Sequence, residues 1–347
     1  MIWVAWRRHR LMLAVVLGLM GALAVWMAFV AHTFHVAAVL DLENRCPVTP
    51  YSTQRNLCSG DETQAGIIQW LLLALPCVAG VLLGGPLVAG ELHHSTNRLA
   101  WTQGISRNRW YITKWLLVAV PLAAATALFQ LVANWWRPNV NGVFGVGVVE
   151  GLGVGFGRLE PSSFAVTGIV PVAYALFALA LGVALGAVVR RTPWAIAGTL
   201  VLYAGVALMM VLLIRPNLLP QTFVPVTASS STGVFGSTQV LQSGSADTNE
   251  PWLITFGFRY QPGYPVPGGA PSADAVGADC TTTTTGPSIE NVTSYVTCLS
   301  DHHVQQGAFY QPARHYWPLQ WIEGGIYLLA SVVLFGVGLW SVRRWRA

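Results

Sequence analysis

Charge is what this chain has least of. Only 10% of its 347 residues are Asp, Glu, Lys or Arg, against 54% hydrophobic, and Lys114 is the single lysine. A water-soluble domain carries about a quarter charged residues, so the composition excludes that class and points to an integral membrane protein. The scarcity of lysine excludes more. A phosphate-binding loop needs Gly-x4-Gly-Lys-Ser/Thr, and Lys114 is followed by Trp115, so any ATP consumed belongs to another chain. Gly-x-Ser-x-Gly is missing, and the chain is read as having no catalytic motif. His32 with His35, His93 with His94 and His302 with His303 lack a carboxylate or thiol at zinc spacing, so no metal site is expected. The formal net charge of +5 comes from basic residues clustered at the ends of apolar segments and matches no nucleic-acid motif.

What is present is a set of six apolar segments near 11–33, 67–90, 115–136, 168–189, 194–214 and 321–342. Each reaches the roughly 20 residues that cross a bilayer as a helix, the form that satisfies its own backbone in lipid. The expected fold is an all-α integral membrane protein with one transmembrane domain over residues 1–347. Twelve of the nineteen basic residues fall on one side of these spans, where Glu91 is the only acid. That asymmetry puts both termini in the cytoplasm. Residues 1–10, with Trp3, Trp6 and WRRHR, read equally as an interfacial helix or as a plain aromatic and basic anchor.

Outside, residues 34–66 contain Cys46 and Cys58, and residues 215–320 contain Cys280 and Cys298. Pairing within each loop is the simplest of the three connectivities and suits an oxidising compartment. The large loop has apolar patches at 252–258 and 309–317, and reads either as an elaborated lid or as an irregular spacer. Gly80 with Gly84 and Gly182 with Gly186 allow close helix approach, inside one bundle rather than between copies.

The polar groups within the spans are few: Gln69, Gln130, Asn134, Tyr174 and Tyr203, with Glu323 the one ionisable candidate at membrane depth, read as facing external water, as part of a translocation path or as paired with a residue of the outer loop. Such a bundle suits an amphiphilic or lipophilic substrate better than an ion, and Gln130, Asn134, Tyr203 and Glu323 are the candidate substrate path. Between spans two and three, the basic stretch 91–114 carries its own punctuation. Ser95 or Thr96 can cap a short helix, Gly104 can end it, and Ser106 can cap the next span.

Six spans, a Trp- and Arg-rich start, a structured basic loop and a large segment between spans five and six resemble the permease subunit of an ABC-2 type, ABCG-like exporter. WRRHR at 6–10, Gly90 and Glu91 closing span two, TNRLAWTQ at 96–103, and Ser106 to Trp110 with Lys114 are similar to permeases of actinobacterial drug-export operons. The resemblance implies that Glu91, Thr96, Asn97, Arg98, Leu99, Trp101, Gln103, Arg107 and Arg109 form the coupling region that docks on an ATPase. It further implies two ATPase copies carrying ATP and Mg, a second permease copy forming a homodimer in preference to a heterodimer, and a bacterial plasma membrane. The expected function is export of a drug, antibiotic or lipid. The alternative is a membrane sensor or immunity protein that binds a ligand through its external loop without transport.

Overall fold

The computed structural model describes residues 2–39, 59–93, 106–144, 148–149, 154–155, 158–225, 252–266, 270–282 and 289–344. The chain folds as two units. The first comprises Met1–Gly157, Pro161–Arg215 and Trp317–Ala347; the second comprises Arg158–Glu160 and Pro216–Tyr316.

The first unit is built from helices α1 (Ile2–Val39), α2 (Ser59–Ala79), α3 (Gly85–His93), α4 (Arg107–Phe144), α5 (Val170–Val189), α6 (Thr192–Met209) and α9 (Tyr316–Arg344). Among the described residues, six stretches are long and apolar enough to cross a membrane: Arg10–His32, Gln64–Gly90, Arg107–Arg137, Val170–Val189, Thr192–Asn217 and Ala313–Arg344. The expected helical membrane architecture stands. The N-terminal segment is no separate element: α1 runs unbroken through residue 10, because nothing between Arg7 and Leu13 is a glycine, a proline or a cap.

Span two is continuous although its pitch changes. The five residues Gly80–Gly84 form a π turn between α2 and α3, and Pro86, which has no N–H to give to the carbonyl of residue 82, follows directly. A second π turn, Met210–Ile214, carries α6 on to the short 3-10 turn Arg215–Asn217. Pro171 sits in the first turn of α5, where its missing N–H costs nothing.

Span four is the most buried of the six. Its glycines meet those of span two backbone to backbone. A Cβ on Gly182 would lie 2.7 Å from the Gly80 carbonyl oxygen and 3.0 Å from Cα of Gly84; one on Gly186 would lie 3.0 Å from the Gly85 carbonyl oxygen. The small-residue pairs therefore pack inside one bundle, as expected. Arg190 ends α5 in the left-handed conformation, φ 63°, with its N–H on the Gly186 carbonyl at 3.1 Å. Pro193 starts α6 within two residues, which lays spans four and five side by side.

The second unit is no irregular spacer among the described residues. Strands β3 (Thr222–Pro225), β4 (Trp252–Tyr260) and β5 (Val304–Gln311) form an antiparallel sheet in the order β3-β5-β4. Gly307 pairs with both Pro225 and Gly257 at the centre. Helices α7 (Ala273–Thr282) and α8 (Ile289–Asp301) are joined by the disulfide Cys280–Cys298, and Val276, Tyr295, Leu299 and Val304 pack around it. In the first unit, β1 (Val148–Val149) and β2 (Val154–Gly155) make a minimal antiparallel pair in the glycine-rich run.

Candidate functional site

Span six presents a polar line within an otherwise apolar helix. Leu319, Gln320, Glu323 and Tyr327 fall at the i, i+4 and i+8 phase of one face and are buried, while Trp321, Ile322, Ile326, Leu328 and Leu329 point outward. Across from that face lie span four, the turns that precede it, and the end of span five.

Glu323 is fully buried, and so is its partner, Arg215. The guanidinium makes a forked contact, Nε to Oε2 and Nη2 to Oε1, both at 2.8 Å. Nη2 also donates to the Tyr174 hydroxyl at 3.1 Å, and Nη1 to the Pro161 carbonyl at 3.3 Å. The Tyr174 hydroxyl donates in turn to Oε1 of Glu323. Below the fork, the Phe164 ring lies 4.5 Å from the guanidinium carbon. A forked, charge-assisted contact is the geometry in which an ion pair best withstands loss of water. Spans four, five and six each contribute one member.

One turn earlier, Gln320 uses its whole hydrogen-bonding capacity on backbone. Its Oε1 accepts from the N–H groups of Ile169 and Val170 at 3.1 and 3.0 Å. Its Nε2 donates to the carbonyls of Phe164 and Thr167 at 3.2 and 3.1 Å. The amide thereby caps the start of α5 from a neighbouring helix and closes the turn 164–170, which also supplies the Phe164 ring.

An aromatic row leads away from the ion pair. Tyr174 meets Tyr327 with ring centroids 4.5 Å apart, Tyr327 meets Phe177 at 5.1 Å, and Phe177 meets Tyr203 at 6.2 Å. Of the residues expected to line a substrate path, Glu323 and Tyr203 thus belong to one connected group. Asn134 stands apart on the outside of span three, its Oδ1 accepting from the Gly168 N–H at 3.4 Å. Gln130 is buried, and its Oε1 has no partner among the described residues, as is true of Nε2 of Gln69.

Two expectations about charge need correcting. Glu323 is not the only ionisable group at membrane depth: of its three readings, pairing with a residue assigned to the outer loop holds, but that residue, Arg215, continues span five. Lys114, assigned to the basic loop, lies inside the third span helix, nearly fully buried, with Nζ 4.4 Å from the Trp110 ring centre. The missed signal was local. Arg215 is a lone cation directly after an apolar run of span length, and Glu323 is a lone acid directly after the start of another.

The opposite ends of spans three, four and six are also tied. Ser106 caps α4 as expected, its Oγ accepting from the Arg109 N–H at 3.4 Å. Arg107 Nη1 donates to the Arg343 carbonyl at 3.2 Å, and Arg343 Nε donates to Asn108 Oδ1 at 2.8 Å. Ser341 donates to the Ala187 carbonyl at 3.1 Å. Tyr111 and Trp115 pack on Phe335, with centroids 5.3 and 5.1 Å apart. The backbone of Glu91 lies on α3, two residues before that helix ends. Thr96, Asn97, Arg98, Leu99, Trp101 and Gln103 lie outside the described residues, as do Cys46 and Cys58.

A family model described as ABC-2 membrane transporter related matches residues 11–215. No curated protein and no solved structure matches the chain.

Proposed function

The chain belongs to the ABC-2 membrane transporter related family, a transmembrane ABC transporter permease, and from that premise we propose that it exports a lipophilic or amphiphilic molecule across a bacterial plasma membrane. The observation that carries the reading is the family match over the first five of the six spans. Two copies of this chain would work with two copies of an ATPase subunit, which would bind ATP and Mg. Both termini and the 91–114 stretch would face the cytosol, and residues 96–104 would form the helix that docks on the ATPase.

The geometry supplies a route for that coupling. The proposed docking segment ends at residue 104, two residues before the Ser106 cap, and α4 is tied to span six through Arg107, Asn108 and Arg343. Span six then runs unbroken from Arg344 back to Glu323, roughly 30 Å at the rise of an α-helix. A displacement at the docking segment would thus reach the buried ion pair along one rigid helix. Measurements of coupling between ATP hydrolysis and export test that path.

An apolar bundle whose buried arginine and glutamate satisfy each other favours a lipophilic cargo. Gln69 and Gln130, with buried amide atoms lacking partners among the described residues, are the groups such a molecule's few polar atoms would meet. The discriminating experiment is purification from membranes in mild detergent. Recovery with a P-loop ATPase whose hydrolysis responds to lipophilic compounds supports the permease. Recovery without one, with ligand binding confined to the 216–316 unit, would replace it with the sensor reading, which the folded, disulfide-bonded second unit favours.

A further inference from the structure

The buried face of span five is spelled by Ala195, Thr199 and Tyr203, at successive intervals of four residues, and by Met210 about two turns beyond Tyr203. An α-helix continued past Met210 would next bring Ile214 to that face. It does not do so. The N–H of Arg215 donates to the carbonyl of Met210, five residues back, and Arg215 is fully buried while Ile214 is only partly so. The π turn holds one residue more than an α turn, and that residue retards the phase of everything after it by about 100°. Arg215 faces Glu323 for that reason.

We propose that the π turn Met210–Ile214 is a two-state positioning element of the transport cycle: in its π form it sets Arg215 on Glu323 and Tyr174, and in an α form it turns Arg215 away and opens the cluster. The inference rests on the permease reading. Three features of the structure make the exchange feasible. Leu212 and Leu213 are 61% and 65% exposed on the outside of the bundle, so turning them leaves the core packing intact. The backbone trades i to i+5 for i to i+4 hydrogen bonds and leaves no donor bare. Glu323 keeps the Tyr174 hydroxyl when the guanidinium leaves, and Arg215, at the last turn of span five, can extend its head toward the interface. Gln320 fixes the start of α5, and with it Tyr174 and Phe164, so the arginine is the member free to move.

Deleting Leu212 tests this. The shortened turn would become α-helical with Arg215 four residues after Met210, on the same buried face but with no second register to adopt. In proteoliposomes containing the complex with its ATPase, the deletion should leave assembly intact and lower ATP-driven transport about tenfold or more, while Leu212→Ala transports normally. Transport by the deletion within about twofold of wild type would overturn the proposal. If the deletion does not fold, a spin label at Ile214→Cys in the full-length complex reads the same rotation. Its oxygen accessibility should fall between the resting and vanadate-trapped states, because Ile214 takes the buried phase in the α form; equal accessibility would overturn the proposal. A wild-type complex that hydrolyses ATP without moving any compound would instead remove the permease reading.

Discussion

Span four is held near its two ends by opposite means. Toward its C-terminus, Gly182 and Gly186 lie against Gly80, Gly84 and Gly85 in a seam of bare backbone. Toward its N-terminus, Tyr174 and the turn before α5 are fastened by Arg215, Gln320 and Glu323, with every polar group directed at a partner. The seam is steric and has no room for a side chain. The lock is electrostatic, and replacing either charged side chain leaves the other buried with fewer partners. The first allows close packing without fixing a discrete state through polar pairing, whereas the second pairs specific donors with specific acceptors, which suits an element that gates.

The sharpest way to break the comparison is to remove one charge. Glu323→Leu strands a buried guanidinium and should cost about 3–5 kcal/mol, read as loss of thermal stability in detergent. Adding Arg215→Met to the same chain should recover much of that loss, since an apolar pair needs no water; a double variant as unstable as the single would show that the fork is not the source of the effect. Next in size is Gln320→Leu, which leaves the Ile169 and Val170 N–H groups unpaired, at about 1–3 kcal/mol for each buried group. Its signature is early hydrogen exchange at the start of α5.

On the seam, Gly182→Ala should destabilise by about 1–3 kcal/mol through overpacking, with no dependence on salt or on the charge pair. The smallest effect sharpens the contrast. Gly205→Ala, in span five where an added Cβ meets nothing within 4 Å, should be neutral or stabilising by up to about 1 kcal/mol on helix propensity. A loss at Gly205 equal to that at Gly182 would mean that general helix flexibility, and not contact, governs the seam.

The seam was legible in the sequence and the lock was not. Small residues four apart on two apolar helices announce close packing, and the Ser106 cap and the Cys280–Cys298 bridge follow similarly local rules. Glu323 was visible as an isolated acid, but its partner lies 108 residues away, and no local pattern links them. The π turn hid the connection further, because it places Arg215 where α-helical counting places Ile214. The sheet of the second unit was hidden for a related reason: β4 and β5 pair across more than forty residues, with a register shift between Leu253 and Thr255 that breaks simple alternation.

As proposed, this permease would receive its work from an ATPase through residues 96–104, which precede α4. The direct measurement is ATP hydrolysis and export, taken together in proteoliposomes, for the complex carrying Arg98→Ala and Trp101→Ala. Folded, assembled complex that still hydrolyses ATP but no longer exports is the predicted result; export coupled to hydrolysis as in wild type would contradict it.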